Sequence, residues 1–276
     1  MTSDAVLDER WAMVRGQPVF YRAAEPSPNA PVILHVHGFA ISGRYMLPTA
    51  DLLADEFRTY VPDLPGFGRS VDPDHALTID EMADSLAALL DVVGVERTTL
   101  LGNSLGCAIL AAFAHRHPDR IERAILVSPA GGVHSQPLLR AIWQLARDAP
   151  REPVSMAAVS VPDYLRFGVI DALRLFLAMT RFPALERILE LSLPTLAVLG
   201  SRDPLLPPWR RIRQVADQLA PDATVVLVKG AAHAMNYSHP IELAAVVRQF
   251  MDDQPITGPD PGLGVAPVAV VRRPAT

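Results

Sequence analysis

Short apolar runs alternate along most of the chain with segments whose apolar residues recur every three or four positions. The short runs are rich in Val, Ile and Leu, which is typical of buried strands, and the longer segments have the spacing of helices that bury one face. We predict strands at residues 11–14, 18–21, 32–36, 58–61, 98–101, 124–127, 195–199 and 224–228, and helices at about 79–93, 104–115, 208–219 and 240–251. This alternation predicts an α/β fold with a mostly parallel eight-stranded sheet and helices on both faces.

Three segments depart from the alternation. Residues 11–21 contain two strand-like pieces around a turn, which predicts an antiparallel hairpin at the edge of the sheet. Residues 131–191 are rich in helical patterns and Pro and contain no convincing strand, so we predict an inserted helical cap on a core formed by residues 1–130 and 192–252. Residues 253–276 are rich in Pro and Gly and have no periodic pattern, which predicts a flexible tail.

Composition and charge exclude several classes of function. The 276 residues are 50% hydrophobic and 20% charged, which indicates a globular chain with a sizeable core rather than a disordered one. A net charge of −5, with no long basic run, indicates no nucleic-acid partner. The single cysteine, Cys107, cannot form an internal disulfide or a thiolate metal site. The sequence has no phosphate-binding loop, dinucleotide fingerprint or metal-ligand cluster, so we expect no cofactor and no metal.

The amino terminus and the hydropathy pattern bear on location. The first ten residues are acidic and contain no apolar run of the length found in signal peptides. No stretch approaches about eighteen uninterrupted apolar residues, so we predict no membrane span. We therefore expect a cytoplasmic protein. The oligomeric state is not indicated by the sequence.

A candidate nucleophile lies in Gly102-Asn103-Ser104-Leu105-Gly106, between a predicted strand and a predicted helix. A strand that enters a helix through a tight turn strains the middle residue, and small residues two positions before and after it avoid clashes. The hydroxyl of Ser104 then projects from the backbone at the positive end of the helix dipole. Elsewhere such a pentapeptide is an ordinary turn, but in this context it predicts that Ser104 is catalytic.

A serine hydroxyl is a weak nucleophile and needs an oriented base, for which eight histidines compete. We prefer His233 because it follows the last core strand, and catalytic groups in such sheets gather at the carboxyl ends of strands. His35 and His37 end an early strand and are interpreted as structural. His239 precedes a proline at the start of a helix and is interpreted as a turn or capping residue.

The base in turn needs a carboxylate that fixes its tautomer and stabilises the imidazolium. Asp203 lies just past the strand at 195–199, again at the carboxyl end of a strand. Its alternative interpretation is an aspartate that caps a turn or helix. Asp63, in a loop rich in Gly and Pro, is the rival, but the chain order serine, acid, histidine favours Asp203.

An acyl-transfer site also needs donors directed at the developing oxyanion. The N–H of Leu105, directly after the nucleophile, is supplied by the turn itself. We expect the second donor from the loop after the first buried strand, His37-Gly38-Phe39, with the N–H of Phe39 as the candidate. The alternative is that Gly38 is only a flexible strand end.

Together these residues resemble the α/β-hydrolase superfamily, in the branch with a helical cap after the sixth strand. The matching pieces stand in the order of the family and span about residues 10–252: His37-Gly38-Phe39, residues 63–70, 102–106 and 200–203, and Gly230-Ala231-Ala232-His233. The resemblance implies that Ser104, Asp203 and His233 are nucleophile, acid and base. A serine nucleophile is unlike the aspartate of haloalkane dehalogenases.

One neighbour of the serine is similar to a particular group within this superfamily. Asn103 resembles the elbow of meta-cleavage-product hydrolases, which break carbon–carbon bonds. Two positions differ from that group: Ala234 stands where those enzymes usually have a tryptophan, and Cys107 stands where a second glycine is common.

We therefore predict a serine hydrolase that cleaves an apolar carboxylic ester or lactone through an acyl-enzyme on Ser104. The apolar residues of the cap favour a small apolar substrate over a sugar or phosphate. A carbon–carbon bond hydrolase is the nearest alternative. A ligand-binding protein that keeps the hydrolase fold is the alternative from another class of function.

Overall fold

The computed structural model describes residues 7–73, 75–129, 138–260, 262 and 264–272. Its single sheet has nine strands in the order β1-β2-β4-β3-β5-β6-β7-β8-β9. The strands are β1 (Asp8–Val14), β2 (Gln17–Ala24), β3 (Val32–Val36), β4 (Arg58–Pro62), β5 (Thr98–Asn103), β6 (Ile121–Val127), β7 (Thr195–Gly200), β8 (Thr224–Val228) and β9 (Val268–Arg272). Strands β3 to β8 pair in parallel, whereas β1/β2, β2/β4 and β8/β9 pair antiparallel. The predicted α/β class and the hairpin at the sheet edge are confirmed.

Helices cover both faces of the sheet. Those in the described residues are α1 (Leu47–Leu53), α2 (Ile79–Val92), α3 (Leu105–Arg116), α4 (Leu138–Asp148), α5 (Val154–Phe167), α6 (Val169–Arg181), α7 (Ala184–Leu189), α8 (Trp209–Ala216), α9 (Met235–Ser238) and α10 (Pro240–Met251). One apolar layer packs α2 and α3 against the sheet, and a second packs α1 and α10 against the opposite face. Because alternate residues of a strand point to opposite faces, the fully buried strands contribute to both layers.

The ninth strand corrects the sequence prediction, which had eight. Residues 268–272 lie in the segment for which we expected no regular structure, yet they pair with β8, with Val270 opposite Val226 and Val268 opposite Val228. A row of unpaired backbone groups at the edge of β8 favours pairing with a short β-branched run. The rest of the segment is dominated by Pro and Gly, which hid this run in the composition.

Helices α4 to α7 lie between β6 and β7, and we refer to residues 138–191 as the helical insertion. The preceding residues, 131–137, with the predicted start of the cap, lie outside the described residues. Phe167 of the insertion stacks on Phe67 of the core, with ring centroids 4.7 Å apart. Asp163 accepts hydrogen bonds from the amide and hydroxyl of Ser42, at 2.8 and 2.7 Å. No helix in the described part of the chain has the length and apolar character needed to cross a membrane.

Candidate active site

Ser104 occupies a sharp turn between β5 and α3. Its backbone has φ 57° and ψ −116°, a region that side-chain-bearing residues rarely adopt. A Cβ on Gly102 would overlap the backbone of Gly106, and a Cβ on Gly106 would overlap the carbonyl oxygen of Val36. The two glycines therefore allow the strand, the turn and the helix to pack this closely, as the strand-turn-helix interpretation requires.

Asn103 connects this turn to the neighbouring strand and to the loop that contains His233. Its Oδ1 accepts a hydrogen bond from the hydroxyl of Tyr45 at 2.6 Å. Its Nδ2 donates to the carbonyl of Val127 at 3.1 Å and to the carbonyl of His233 at 3.2 Å. The side chain is buried, and both its amide oxygen and its amide nitrogen are hydrogen-bonded. Asn103 therefore has a structural role that its sequence position did not reveal.

The structure brings Asp203 and His233 together. Oδ2 of Asp203 lies 2.8 Å from Nδ1 of His233, and Oδ1 accepts a hydrogen bond from the amide of Leu205 at 2.8 Å. Burial of the imidazole lowers the pKa of His233, but the charge and hydrogen bond of Asp203, together with the charges of Asp148 and Glu152, raise it by more in total, so that the pKa lies above its usual value. In the described part of the chain, no hydrogen bond is made to Nε2 of His233 or to the hydroxyl of Ser104.

Two backbone amides flank the serine. A Cβ on Gly38 would lie 3.3 Å from Cβ of Ser104, so the loop that contains Phe39 passes directly beside the turn. Leu105 is the first residue of α3, where a helix has no internal acceptor for the N–H group. Neither the Phe39 nor the Leu105 amide donates a hydrogen bond to any described residue. Within the described residues, both predicted donors are thus unpaired near Ser104.

Asp63, the rival candidate for the acid, is held elsewhere. Its Oδ1 accepts from the amide of Gly43 and its Oδ2 from the amide of Arg69, both at 2.9 Å. Arg22 lies 3.5 Å from Oδ1. Among the described residues, Asp63 makes no hydrogen bond to His233. Its carboxylate instead joins two loops of the core, so the geometry favours Asp203 as the partner of the base.

The two early histidines differ from each other. His37 accepts a hydrogen bond from the amide of Leu64 at Nε2, 3.0 Å away, and its Nδ1 lies 3.1 Å from the carbonyl of Gly38. His37 is therefore neutral with the proton on Nδ1, and burial lowers its pKa. His35 is fully buried, neither ring nitrogen has a partner in the described structure, and burial lowers its pKa to about 3. The structural interpretation thus fits His37 and leaves His35 neutral in the core.

Two acidic residues of the helical insertion reach the loop that contains His233, and sequence reasoning missed both. Asp148 accepts a hydrogen bond from the amide of His233 at 3.3 Å, and Glu152 accepts from the amide of Ala234 at 2.6 Å. Burial raises the pKa of Asp148 to about 6. These contacts join residues 85 and 82 positions apart, so no local sequence pattern indicates them.

The remaining candidate chemistry is limited. Burial raises the pKa of the Cys107 thiol, whose Sγ lies 3.1 Å from the carbonyl oxygen of Gly102, so the thiol is protonated and packed in the core. Within the described residues, no three His, Cys, Asp or Glu side chains are grouped as metal ligands.

An apolar cavity of about 730 Å³ lies between β6, β7, β8, α7 and α8. Two of its lining residues connect it to the candidate site. Pro129 lies two positions after Val127, whose carbonyl accepts from the Ser104 amide at 3.1 Å, and Leu205 donates to Asp203. The cavity is therefore within a few residues of both the serine and the acid.

Comparisons with known proteins agree with this fold. A family model described as the alpha/beta hydrolase fold matches residues 31–152. A protein of Rhizobium rhizogenes named "Putative carbamate hydrolase RutD" is 30% identical over 252 residues, covering 81% of this chain and 94% of that protein. A pimeloyl-(acyl-carrier protein) methyl ester esterase of Aeromonas hydrophila is 28% identical over 255 residues, covering 81% of this chain and 96% of that protein.

A solved structure extends the comparison to the fold. A membrane phospholipase A, described as a bacterial virulence factor, has a TM-score of 0.77 and 24% identity, with 90% of this chain and 87% of that chain covered. The chain belongs to the α/β-hydrolase family. The resemblance inferred from the sequence is thereby confirmed.

Proposed function

We propose that this protein is a serine hydrolase that cleaves an apolar carboxylic ester or lactone through an acyl-enzyme on Ser104. The proposal is carried by one observation: a strained serine lies beside two backbone amides that have no acceptor among the described residues, next to the loop that holds a hydrogen-bonded His233–Asp203 pair. Acyl transfer needs these three components together: a nucleophile, an oriented base and donors for the oxyanion.

The proposed reaction has two stages. Ser104 Oγ attacks the carbonyl carbon while Nε2 of His233 takes the hydroxyl proton, and Asp203 stabilises the imidazolium through Nδ1. The amides of Phe39 and Leu105 donate to the oxyanion. The imidazolium then returns the proton to the departing alkoxide, which leaves an ester on Ser104. A water molecule, deprotonated by His233, cleaves this ester and releases the carboxylic acid and the free serine.

Three observations support an apolar carbonyl substrate. The cavity of about 730 Å³ is lined mainly by aliphatic side chains, and its lining includes Leu205, whose amide donates to Asp203. The helical insertion adds the carboxylates of Asp148, which is buried, and Glu152 close to His233, and these disfavour a negatively charged group at that position. Two relatives are named for hydrolysis of a carbamate and of a methyl ester, and both groups present a carbonyl carbon to a nucleophile.

The alternative function, a carbon–carbon bond hydrolase, was suggested by a residue whose side chain the fold already accounts for. It was suggested by Asn103, whose side chain is accounted for by hydrogen bonds to Tyr45 and to the backbone of Val127 and His233. These hydrogen bonds give Asn103 a role in holding the turn that does not depend on which bond is cleaved.

The test is hydrolysis of p-nitrophenyl esters of increasing acyl length. We expect turnover by the wild-type protein, and a decrease in kcat of at least about 10³-fold in both Ser104→Ala and His233→Ala. His239→Ala is the matched control, since this histidine hydrogen-bonds only Ser238 among the described side chains, and kcat should stay within about threefold. Turnover that persists in Ser104→Ala would refute the proposal. A single stoichiometric release without further turnover would indicate a binding protein instead.

A further inference from the structure

A second pocket, of about 370 Å³, lies beside the loop that follows β7. Its walls come from that loop and from the end of α4 with the short turn after it. We call it the arginine pocket, and its lining residues are Arg147, Arg151, Ser201, Arg202, Asp203 and Pro204. Neither Ser104 nor His233 is among them, so a ligand held in this pocket would not occupy the position of the substrate carbonyl.

The positive charges of the arginine pocket have no counter-charge within the described residues. None of its three guanidinium groups, those of Arg147, Arg151 and Arg202, forms an ion pair with a described carboxylate. Asp203 is the one acid in the lining, but its side chain is fully buried, and its two oxygens are taken by His233 and by a backbone amide. The carboxylate that is nearest to the three arginines is therefore already committed to the candidate base.

The acids that adjoin these arginines in the chain are also engaged elsewhere. Asp148 follows Arg147 and Glu152 follows Arg151, yet each carboxylate accepts a backbone amide of the loop that contains His233. Three guanidinium groups that share one pocket without an acid repel each other, and a bound anion relieves that repulsion. The charges of the pocket therefore favour a negatively charged ligand.

Several hydrogen-bond donors of the pocket are held in place by neighbouring groups. The guanidinium of Arg147 lies over the ring of Trp143, 4.5 Å from its centroid, and Arg151 donates to the backbone carbonyl of Arg147. On the opposite wall, Oγ of Ser201 accepts from the amide of Gly230 at 2.8 Å, and its hydroxyl hydrogen has no acceptor in the described part of the chain. The pocket thus offers donors from both walls with little freedom left to lose on binding.

We propose that the arginine pocket binds a phosphate group, either as free phosphate or as a phosphate monoester carried by a larger molecule. A carboxylate has two oxygens and is matched by the fork of one guanidinium, whereas a phosphate presents at least three oxygens and can be shared by several. Three guanidinium groups and a hydroxyl in one pocket therefore fit a phosphate better than a carboxylate. Arg147 and Arg202 are exposed, so the rest of a monoester can extend into solvent.

The experiment is calorimetric titration of the full chain with inorganic phosphate at constant ionic strength, which separates specific binding from screening. We expect saturable binding to the wild-type protein. The double variant Arg147→Gln/Arg202→Gln should bind at least about tenfold more weakly, because two charge-assisted contacts are lost. Arg210→Gln/Arg213→Gln is the matched control. It removes the same charge, Arg213 likewise lies over a tryptophan, Trp209, and neither arginine lines the pocket, so binding should stay within about twofold.

Hydrolysis of p-nitrophenyl esters then assigns the source of the phosphate. If the phosphate is part of the substrate, an ester whose acyl chain ends in a phosphate group should lose at least about tenfold in kcat/KM in Arg147→Gln/Arg202→Gln. An uncharged ester should stay within about threefold. If free phosphate is the ligand, the two esters should respond alike to the substitutions.

Three outcomes of the titration would overturn the proposal. One is a wild-type protein that shows no saturable binding of phosphate. Another is equal weakening in the two double variants. A third is acetate that binds as tightly as phosphate, which would assign the pocket to carboxylates. Circular dichroism verifies that each variant is folded. Phosphate binding is measured without any ester, so its failure leaves the proposed hydrolase function untouched.

Discussion

Asp148 places a second carboxylate next to the candidate base, and replacing it with asparagine should move the pH profile of the reaction. The Asp148→Asn side chain retains an oxygen that can accept from the His233 amide, as Asp148 does at 3.3 Å, but the negative charge is lost. That charge is one of the influences that raise the pKa of His233, after the opposing effect of burial and the larger effects of Asp203. Without it, the imidazole loses its proton at a lower pH. The acid limb of kcat/KM should therefore shift to lower pH.

The size of the shift follows from Coulomb's law. For an illustrative separation of about 6 Å, two opposite unit charges attract by about 0.7 kcal/mol at the dielectric constant of water and by about 3 kcal/mol at an effective value near 20. Since about 1.4 kcal/mol corresponds to one pKa unit, the midpoint of the limb should fall by about 0.5 to 2 pH units. Asp148 itself has a pKa of about 6, so the effect is complete above that pH and disappears below it.

The same substitution should also change the free energy of unfolding, and the change should depend on pH. The folded-state pKa of about 6 lies above the usual 3.8, so burial of the ionised Asp148 opposes folding. This penalty is absent below about pH 4, grows between about pH 4 and pH 6, and is constant above pH 6. At pH 8, Asp148→Asn should therefore raise the free energy of unfolding by up to about 3 kcal/mol, an advantage that disappears at pH 4.

The assay is kcat/KM for a p-nitrophenyl ester from pH 5 to 9, with urea unfolding at pH 4 and 8. Asp171→Asn is the control, because Asp171 is a surface carboxylate of the same insertion paired only with Arg174 in the described structure. Its acid limb should coincide with that of the wild type. An unmoved or raised midpoint in Asp148→Asn, together with unchanged stability at pH 8, would show that the Asp148 charge does not act on His233.

Two further predictions concern the frame of the site. Gly106→Ala places a Cβ against the carbonyl oxygen of Val36. We expect the free energy of unfolding, measured by thermal unfolding, to fall by about 1–3 kcal/mol or more, together with loss of ester hydrolysis. A variant with wild-type melting temperature and activity would contradict this. Asp63→Ala removes the acceptor for the Gly43 amide and leaves Arg22 buried beside it. The free energy of unfolding in urea should therefore fall by about 3–5 kcal/mol, and by less in Asp63→Asn. A decrease under about 1 kcal/mol would show that the carboxylate does not hold these loops.

The parts of the fold that depend on local pattern were predictable, and the parts that depend on pairing were not. Strands β3, β7 and β8 are largely apolar runs because both faces of the sheet are covered. Helix α2 begins with the Thr78–Glu81 capping box that its sequence indicates. β9 was missed because its existence depends on the open edge of β8, some 40 residues earlier in the chain. No window around residues 268–272 contains that information.

The candidate site likewise contains residues that local sequence predicts and residues that depend on distant contacts. Ser104 was predictable because its turn needs glycines at fixed positions, and His233 and Asp203 because each follows a core strand. The role of Asn103 was not predictable, since it depends on a hydrogen bond to a residue 130 positions away. In the sequence, Asp148 and Glu152 look like ordinary surface acids. Only the packing of the insertion on the core directs them inward.

The inward contacts of these acidic residues join the helical insertion to the candidate active site. Asp148, Glu152 and Asp163 each accept a backbone amide of a core loop, so three of the negative charges in the insertion are withdrawn from its outer side. The placement of Asp148 and Glu152 puts two of these charges where they raise the pKa of His233. The direction of these two carboxylates, set by the packing of the insertion on the core, therefore contributes to the pH dependence expected of hydrolysis.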